Sequence, residues 1–398
     1  MRTTDISSRK ESSRVRVVYI VNARIPNERA HGIQIVRTCE ALSRENIDLT
    51  LVTSTFPGRH TSLTEQYGIT ESFVHRRLFA IDIPHVPFRY VVRNASFFVS
   101  AIGYLLSVFV ESLFSRRRVA VYVRGELMLF LIPLTYLMPI FFETHQIRNY
   151  AAWYRMALRH VRGIIVVTQN LKQKFIDEYR LPAASILVAR DAVDLTMFSS
   201  VERDRAVWEK QGISESKTIV LYAGTLAAEK GVDTLALASR FVPDTIHVVF
   251  LGGTEAQVQA FRGKYGAYTN MSILGRVEHT EVPRYIAAAD MLILPDRADF
   301  TYSNLFTSPM KLFEYMASGV PIIASRVPSL LEVLTSETAL FFESGNAEEL
   351  GKRIREVTKN PGAFLRYGER ARRAVEAFTW EKRAGAIYAH IKERLNKK

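Results

Sequence analysis

The sequence has a single cysteine, no secretion signal and no long uninterrupted apolar run. Cys39 is the one cysteine among 398 residues, so an intrachain disulfide is excluded, and no Cys/His cluster has the spacing of a zinc site. Residues 1–11 are polar and of mixed charge, without the apolar core of a signal peptide. These absences predict a cytoplasmic protein without a metal site.

Several nucleotide and hydrolase motifs are also missing. The chain has no Walker A sequence, no Gly-x-Gly-x-x-Gly fingerprint and no Gly-x-Ser-x-Gly elbow. It has no Asp-x-Asp pair to hold a divalent metal against a diphosphate. We therefore expect any bound diphosphate to be neutralised by basic side chains and helix N-termini, independently of a metal.

The chain has fewer acidic than basic residues. It contains 40 Asp and Glu and 53 Lys and Arg, which give a formal net charge of +13. A basic balance fits an ordinary soluble surface, a nucleic acid, an anionic membrane or a phosphorylated substrate. The basic residues form no long block, and no DNA- or RNA-binding motif is present. We expect no nucleic-acid partner.

Two apolar stretches are too short or too interrupted to read as membrane spans. Phe97–Phe114 contains three serines and a glutamate, and Leu127–Phe142 is broken by Pro133 and Pro139. A spanning helix needs roughly 20 apolar residues. We predict a buried helix and a buried strand region. Because Arg116–Arg118 follow the first stretch, a helix lying on an anionic membrane surface is the alternative.

The length suits two domains, and the composition, 48% hydrophobic and 23% charged, is globular. Short β-branched runs alternate with helical stretches, which is typical of parallel sheets covered by helices. A polar stretch at residues 199–217 separates two such halves. Ligands bind at the carboxyl ends of strands in these folds, so two sheets are expected to face each other across a cleft. The predicted strands are Val15–Val21, Leu49–Ser54, Val119–Val123, Pro139–Phe142, Gly163–Thr168, Ser185–Ala189, Thr218–Ala223, His247–Leu251, Ser272–Leu274, Met291–Leu294, Pro321–Ala324 and Ala339–Phe342.

The run from Ser308 to Gly319 is the most informative segment. Pro309 suits the first turn of a helix and Gly319 the position just after its end. Lys311 and Glu314 then share one surface of that helix. A helix N-terminus attracts anions, and a carboxylate one turn further on suits a sugar hydroxyl. The run predicts a site for a phosphate attached to a sugar, with a surface Lys311–Glu314 ion pair as the alternative.

Other candidate residues follow predicted strands in the second half. Gly224, Thr225 and Lys230 lie in a loop between a strand and a helix, where glycine allows close approach of a ligand and lysine supplies a charge for a diphosphate. Arg276 and Val277 follow another strand. A solvated lysine beside a helix cap is the alternative for Lys230.

In the first half, His31 and Gly32 lie between the first strand and the first helix, where the Gly32 N–H suits a phosphate or a sugar. Arg124, Glu143 and His145 follow or end two later strands. His145 suits a sugar hydroxyl or a proton transfer, and Arg124 suits an anionic acceptor or an ion pair with Glu143. A turn glycine with an exposed histidine is the alternative for Gly32 and His31, and a structural histidine is the alternative for His145.

Together these segments resemble family 4 of the retaining glycosyltransferases, which have the GT-B fold. The resemblance runs from about Arg16 to about Tyr388, and Asp191–Leu195 and Phe378–Glu381 resemble the family's inter-domain segments. Ser308–Ala317 resembles the branch that has a Ser-Pro-x-Lys-x-x-Glu-Tyr-Met-Ala motif at the donor site.

The resemblance implies two doubly wound Rossmann-like domains facing across a cleft, with a C-terminal helix crossing back to the first. The implied divisions are a flexible segment 1–14, an acceptor-side domain 15–198, a nucleotide-sugar-binding domain 199–378 and the crossing helix 379–398. The implied catalytic residues are His145, Lys230 and Glu314. The implied donor-binding residues are Gly32, Gly224, Thr225, Lys230, Arg276, Val277, Ser308, Lys311 and Glu314, and the acceptor-side residues are His31, Arg124 and Glu143.

Two positions depart from the family pattern. Thr225 stands where an arginine is usual, and Phe306 stands where a glutamate is usual eight residues before the ribose carboxylate. Lys311 is a candidate to replace the missing cation. The departures leave two alternatives to a transferase open, a nucleotide-sugar epimerase and a non-catalytic nucleotide-sugar-binding relative.

The implied activity is metal-independent, hexosyltransferase-like transfer from a nucleoside-diphosphate sugar, a co-substrate, with no cofactor. The acceptor expected from the resemblance and the basic, aromatic-rich stretch is a glycan or a lipid-linked sugar of cell-envelope polysaccharide or glycolipid synthesis. The expected location is the cytoplasm, with peripheral contact to the inner face of the cell membrane.

Overall fold

The chain divides into two compact units, the first made of residues 1–190 and 380–398 and the second of residues 191–379. The boundary between residues 190 and 191 lies before the polar stretch at residues 199–217. Val193 belongs to the second unit, where it forms a β-bridge with Thr379 and its N–H donates to the Phe378 carbonyl at 3.0 Å. The computed structural model describes residues 15–27, 30–45, 47–55, 62–70, 73–81, 88–115, 117–147, 152–199, 201–300 and 305–397.

The first unit contains a seven-stranded parallel sheet with strand order β3-β2-β1-β4-β5-β6-β7. Its elements, in chain order, are β1 (Val15–Val21), α1 (Ala30–Ser43), β2 (Ile47–Ser54), α2 (Leu63–Tyr67), β3 (Val74–Leu78), α3 (Arg89–Ser115), β4 (Val119–Arg124), a 3-10 helix (Glu126–Tyr136), β5 (Ile140–Thr144), α4 (Ala152–His160), β6 (Gly163–Val166), α5 (Gln169–Tyr179), a 3-10 turn (Ala183–Ser185) and β7 (Ile186–Val188).

The central strands are Val/Ile-rich and buried on both faces, as a helix-covered parallel sheet requires. The edge strand β3, with the sequence Val-His-Arg-Arg-Leu, is absent from the strands predicted above. Its residues are exposed or half-buried. Charged side chains suit such an edge and hide the apolar pattern that marks a strand.

The expectation of a buried helix at Phe97–Phe114 is wrong. The helix α3 spans 27 residues, and only Phe97, Ala101, Leu105 and Val108 are buried. These four lie three or four residues apart, so they form one row that packs on the unit while the other rows stay partly or fully exposed. The strand region expected at Leu127–Phe142 is also mostly wrong, because the 3-10 helix occupies its first part and β5 begins only at Ile140, after Pro139.

The second unit contains a six-stranded parallel sheet with strand order β10-β9-β8-β11-β12-β13. Its elements are α6 (Leu195–Ser199), α7 (Ala206–Glu209), β8 (Thr218–Ala223), a 3-10 turn (Ala228–Lys230), α8 (Val232–Ala238), a 3-10 turn (Ser239–Phe241), β9 (Ile246–Leu251), α9 (Glu255–Tyr265), β10 (Met271–Gly275), α10 (Val282–Ala288), β11 (Met291–Leu294), α11 (Met310–Ser318), β12 (Ile322–Ser325), α12 (Pro328–Leu331), β13 (Leu340–Phe342), α13 (Ala347–Lys359), α14 (Pro361–Ala374) and a 3-10 turn (Val375–Ala377).

The helix predicted in the most informative segment is confirmed as α11. Pro309 precedes it and Gly319 follows it with φ of 74°, a left-handed conformation that favours glycine. Its Leu312, Phe313 and Met316 are buried in the core. The Tyr315 hydroxyl accepts the Ala223 N–H at 2.7 Å and thereby joins α11 to the end of β8.

The last helix, α15 (Trp380–Asn396), belongs to the first unit and packs against α1. Its buried side chains include Trp380, Arg383, Ile387 and Ile391. The predicted fold class, two parallel doubly wound sheets with a C-terminal helix returning to the first, is confirmed.

Candidate active site

Two lysines flank one buried carboxylate at the carboxyl end of the second sheet. The Lys230 Nζ lies 3.7 Å from Asp296 Oδ1, and the Lys311 Nζ lies 3.8 Å from Asp296 Oδ2. Asp296 is 2% exposed, and neither of its carboxylate oxygens accepts a hydrogen bond from the described residues. The carboxylate therefore interacts with the two ammonium groups through charge. We call these three residues the lysine pair and its counter-ion.

Three separate segments build this arrangement. Lys230 ends a 3-10 turn after β8, Asp296 follows β11, and Lys311 lies in the first turn of α11. The Asp296 carbonyl accepts hydrogen bonds from the hydroxyls of Ser325 and Ser344 at 2.6 and 3.1 Å. These bonds hold the Asp296 backbone, so the carboxylate stays in register with both lysines.

Gly231 is a position in this loop at which there is no room for a Cβ atom. Its φ is 67°, and a Cβ there would lie 1.8 Å from the carbonyl oxygen of Pro295. The glycine therefore lets the Lys230 turn pack directly against the segment that carries Asp296.

Burial and the counter-ion act in opposite directions on the lysines. Desolvation lowers the pKa of Lys311 and of Lys230 below its ordinary value, and the Asp296 carboxylate partly restores each. Lys311 further lowers the pKa of Lys230, because the two positive charges repel each other. A dianionic ligand would favour the charged form of both lysines.

Lys311 also contacts an aromatic ring. Its Nζ lies 4.3 Å from the ring centroid of Tyr222 and donates to the Tyr222 hydroxyl at 3.3 Å. That hydroxyl in turn donates to the Thr225 carbonyl at 2.8 Å. Tyr222 thereby connects α11 to the loop that follows β8. The Thr225 side chain is exposed, and Phe306 is buried at 6% exposure.

Glu314 follows Lys311 on α11 but pairs with a different residue. Its Oε1 lies 3.4 Å from the Nε2 of His279, which belongs to the segment after β10. Arg276 and Val277 precede His279 in that segment, with Arg276 exposed and Val277 half-buried. The Ser308 hydroxyl accepts the Asp191 N–H at 2.9 Å. In place of the alternative Lys311–Glu314 surface pair, the structure has two separate contacts, Lys311 with Asp296 and Glu314 with His279.

The first unit contains a second cluster, built around the buried Glu143 at the end of β5. The Arg383 guanidinium of α15 donates to Glu143 Oε1 at 2.7 Å, and both side chains are almost fully buried. The Tyr122 hydroxyl donates to Oε2, and the Tyr19 hydroxyl lies 3.4 Å from the same atom. The two tyrosine rings stack at 4.4 Å. The Glu143 carboxylate is fully engaged by its own unit.

His145 makes the remaining contact with Glu143, at 2.8 Å between Nε2 and Oε1. Burial would raise the pKa of Glu143, but the Arg383 charge and the other positive neighbours hold it well below its ordinary value. Burial and the Arg124 charge lower the pKa of His145 to about 4 despite its contact with Glu143. His145 is therefore neutral at pH 7. Because Nε2 faces a carboxylate it carries the proton, and Nδ1 is a hydrogen-bond acceptor.

The other predicted residues of this unit lie around the same sheet edge. Gly32 is in the first turn of α1, so the helix begins earlier than expected and the Gly32 N–H is one of those without an intrahelical acceptor. A Cβ on Gly32 would lie 2.7 Å from Asn27 Oδ1. His31 lies 3.5 Å from the same asparagine. Arg124 is the direct neighbour of Glu143 across the β4–β5 pair.

Several residues of the two clusters were not among the predicted ones. In the sequence, Asp296 and Tyr222 were recognisable only as residues near the ends of predicted strands, and His279 only as a polar residue in a loop. Arg383 and Gln34, whose amide nitrogen lies 3.3 Å from the Nε2 of His145, reach their positions from distant helices. No local pattern marks them. The described residues contain no group of three or more His, Cys, Asp or Glu side chains that is suited to a metal ion.

Comparisons with known proteins show which proteins the chain resembles. Residues 204–374 match the family model described as glycosyl transferases group 1. The curated protein "GDP-mannose-dependent monoacylated alpha-(1-6)-phosphatidylinositol monomannoside mannosyltransferase" of Corynebacterium glutamicum is 26% identical over 196 residues, which are 48% of this chain and 51% of that protein. The match covers most of the second unit, whose sequence is therefore similar to that of group 1 glycosyl transferases.

Solved structures share the fold over nearly the whole chain. Sucrose-phosphate synthase from Thermosynechococcus elongatus superposes with a TM-score of 0.75 at 16% identity, covering 96% of this chain and 99% of that one. HepE from Anabaena, in complex with UDP-glucose, gives a TM-score of 0.69 at 14% identity, covering 95% and 99%. The architecture is thus that of GT-B enzymes. In sequence, the matches span about half to three fifths of the length of the first curated relatives.

Proposed function

We propose that this protein transfers a sugar from a nucleoside-diphosphate donor to a glycan or lipid-linked acceptor, with retention at the anomeric carbon. The observation that carries the proposal is the lysine pair and its counter-ion. Two ammonium groups converge on one buried carboxylate, at 3.7 and 3.8 Å. The names of two similar proteins support the donor class, since one is GDP-mannose-dependent and the other was solved with UDP-glucose.

The chemistry follows from where charge develops. Cleavage of the glycosidic bond passes through an oxocarbenium-like state while negative charge gathers on the departing diphosphate. Lys230 and Lys311 stabilise that charge, with help from N–H groups at the start of α11. Lys311 thereby supplies the cation that is missing at Thr225. Glu314, one turn further along α11, accepts hydrogen bonds from the donor ribose.

The first unit contributes His145 as a hydrogen-bond partner for a sugar hydroxyl. A neutral imidazole with an accepting Nδ1 suits a hydroxyl donor, and the buried Glu143 fixes the ring from behind. Glu143 and Arg383 act as positioning residues, because their side chains are buried and bonded to each other. Gly32 offers a backbone N–H.

Calorimetric titration of the full chain with UDP and GDP tests the donor site. Lys230→Met, Lys311→Met and Glu314→Gln should each weaken binding of the preferred nucleotide at least tenfold, about 1.4 kcal/mol. Lys264→Met is the matched control, because Lys264 belongs to the same unit and is 61% exposed in its ion pair with Asp233. Its affinity should equal that of the wild type.

Unchanged affinity in the Lys230 and Glu314 variants contradicts the site. Transfer itself is tested by incubating the chain with a panel of nucleotide sugars and envelope glycan or lipid acceptors, with mass-spectrometric detection of product. Product that needs an acceptor supports transfer, whereas an altered donor formed without acceptor indicates an epimerase.

A non-catalytic binding protein is the second candidate, because the residue in place of the family's glutamate, Phe306, is buried and apolar. Tight nucleotide-sugar binding without turnover on any acceptor favours that candidate. Restoring the carboxylate by Phe306→Glu and recovering turnover would then show that the residue is the cause.

A further inference from the structure

Helix α3 carries a continuous apolar row on its outward side. The row consists of seven residues, each three or four positions after the one before it, and we call it the α3 face. Its residues are Val91, Ala95, Val99, Ile102, Leu106, Val110 and Leu113. This spacing keeps them on one side of a helix. All seven are exposed, from 37% for Ile102 to 72% for Val99. The row extends over about 33 Å at 1.5 Å per residue.

A soluble surface helix normally turns polar residues outward, and α3 does the opposite. By length and apolar composition it is able to cross a membrane, yet only 22% of its most apolar stretch is buried. The buried row from Phe97 to Val108 packs it on the first unit. The helix is therefore held along the protein surface, and its apolar side has the geometry of a helix lying in a membrane interface.

Several polar side chains of α3 have partners within the protein. The Ser107 and Ser112 hydroxyls donate to backbone carbonyls one turn earlier, at 2.7 and 2.6 Å. The Ser100 hydroxyl donates to the Phe79 carbonyl at 2.9 Å. Glu111, the only acid of the helix, pairs with Arg16 at 2.8 Å. Placing this helix in an apolar medium leaves few groups without partners.

Basic and aromatic side chains border the α3 face. Arg89 and Arg93 lie in its first turns, with guanidinium groups 4.7 and 5.5 Å from the ring centroid of Tyr90. Arg118 follows its end and is exposed. Beside the helix, Phe79 and Phe130 are 65% and 55% exposed. An apolar face with arginines at both ends is complementary to an anionic lipid headgroup layer over acyl chains.

We propose that the α3 face docks the protein on an anionic bilayer, with the helix parallel to the membrane plane and the α3 face inserted below the headgroups. The site lies in the first unit and is independent of the lysine pair. It corrects the sequence-based expectation of a buried helix and favours the surface-bound alternative. Lipid binding by the full chain tests it apart from donor binding.

Sedimentation with vesicles of phosphatidylcholine alone, or with 30% phosphatidylglycerol, measures the docking. We expect at least tenfold tighter binding to the anionic vesicles at low salt, and loss of that preference at high salt. Val99→Asp combined with Leu106→Asp should weaken binding at least tenfold. Leu365→Asp is the matched control, because Leu365 is 53% exposed on α14 of the second unit, and its binding should be unchanged.

Arg89→Gln should weaken binding to anionic vesicles about fivefold and leave binding to neutral vesicles unchanged. Arg366→Gln is its control, since Arg366 also stacks on the next residue's ring, 5.6 Å from the centroid of Tyr367, but lies in the second unit. Circular dichroism and nucleotide affinity should stay at wild-type values in every variant, which separates lost docking from lost folding.

Three results would overturn the proposal. The first is absence of binding to both vesicle types at low salt. The second is a wild-type dimer in analytical ultracentrifugation that the Val99 and Leu106 changes dissociate, which would assign the α3 face to a second copy. The third is retention on the membrane after alkaline carbonate extraction, which would mean that the helix spans the bilayer.

Discussion

Glu143 and Glu381 offer a direct test of what burial does to an ion pair. Glu143 lies 2.7 Å from Arg383 with side-chain exposures of 1% and 3%, and Glu381 lies 2.8 Å from Arg44 with exposures of 58% and 54%. Both pairs join α15 to the rest of the first unit. Glu143→Gln and Glu381→Gln make the same chemical change at nearly equal distances, so the difference in cost reports burial together with the further contacts that Glu143 makes with Tyr122 and His145.

The magnitudes differ strongly. At an effective dielectric constant of 20, the buried pair has a Coulomb energy of about 6 kcal/mol, and breaking such a pair typically costs about 3–5 kcal/mol. Arg383 keeps two other acceptors, the Arg190 carbonyl at 3.1 Å and the Thr38 hydroxyl at 3.2 Å. We therefore expect the lower end, about 3 kcal/mol, for Glu143→Gln. The exposed pair should cost at most about 1 kcal/mol.

Urea unfolding of the full chain, with hydrogen exchange of β5 and α15 peptides to assign the transition to the first unit, measures both costs. Equal losses of unfolding free energy in the two variants would refute the argument. A large loss confined to peptides of the second unit would refute it as well, since Glu143 and Arg383 both belong to the first.

Three further predictions concern the two clusters. Because the pKa of His145 is lowered to about 4, the folded chain resists protonation of this histidine, and the free energy of unfolding should fall as the pH drops from 6.5 to 4. NMR titration of His145 checks the pKa. The His145→Asn variant should lack this part of the loss of stability, which amounts to up to about 3 kcal/mol. Asp296→Asn should shift the alkaline decline of nucleotide affinity to lower pH in calorimetry, because the carboxylate raises the pKa of both lysines; an unshifted decline would contradict this role. Gly231→Ala should lower the free energy of unfolding in urea by about 2 kcal/mol or more. Gly345 has a φ of 82° but no atom within 4 Å of an added Cβ, so Gly345→Ala should cost only about 1 kcal/mol. Equal costs would exclude a clash with Pro295.

The fold was predictable because its signals are local. Most buried strands are short apolar runs, many of them rich in Val and Ile, and α11 is marked by Pro309 and Gly319 at its two ends. Edge strand β3 was missed because its polar residues His75, Arg76 and Arg77 interrupt the apolar pattern. The burial of α3 was misjudged for the opposite reason, since apolar residues on both its inner and outer rows conceal which side faces the protein.

The site was predictable where one short segment carries it. Lys311 and Glu314 are three residues apart on one helix, so their shared origin was visible. Their partners were not, because Asp296 and His279 come from the ends of other strands, and only the strand order β10-β9-β8-β11-β12 brings those ends together. Arg383 was not predictable either, because nothing in the sequence of its polar helix distinguishes it from the other basic residues. Only the fold brings it to Glu143.

The pairing of Glu143 with Arg383 spans 240 residues, and the whole second unit lies between them in the chain. At a synthesis rate of about 5–20 residues per second, a ribosome takes roughly 12–48 s to add the arginine after the glutamate. During that interval the second unit is synthesised and becomes complete at residue 379, four residues before the arginine, while the sheet of the first unit holds a carboxylate without its counter-charge. The first unit is therefore completed only after the whole second unit has been synthesised, because α15 follows that unit in the chain.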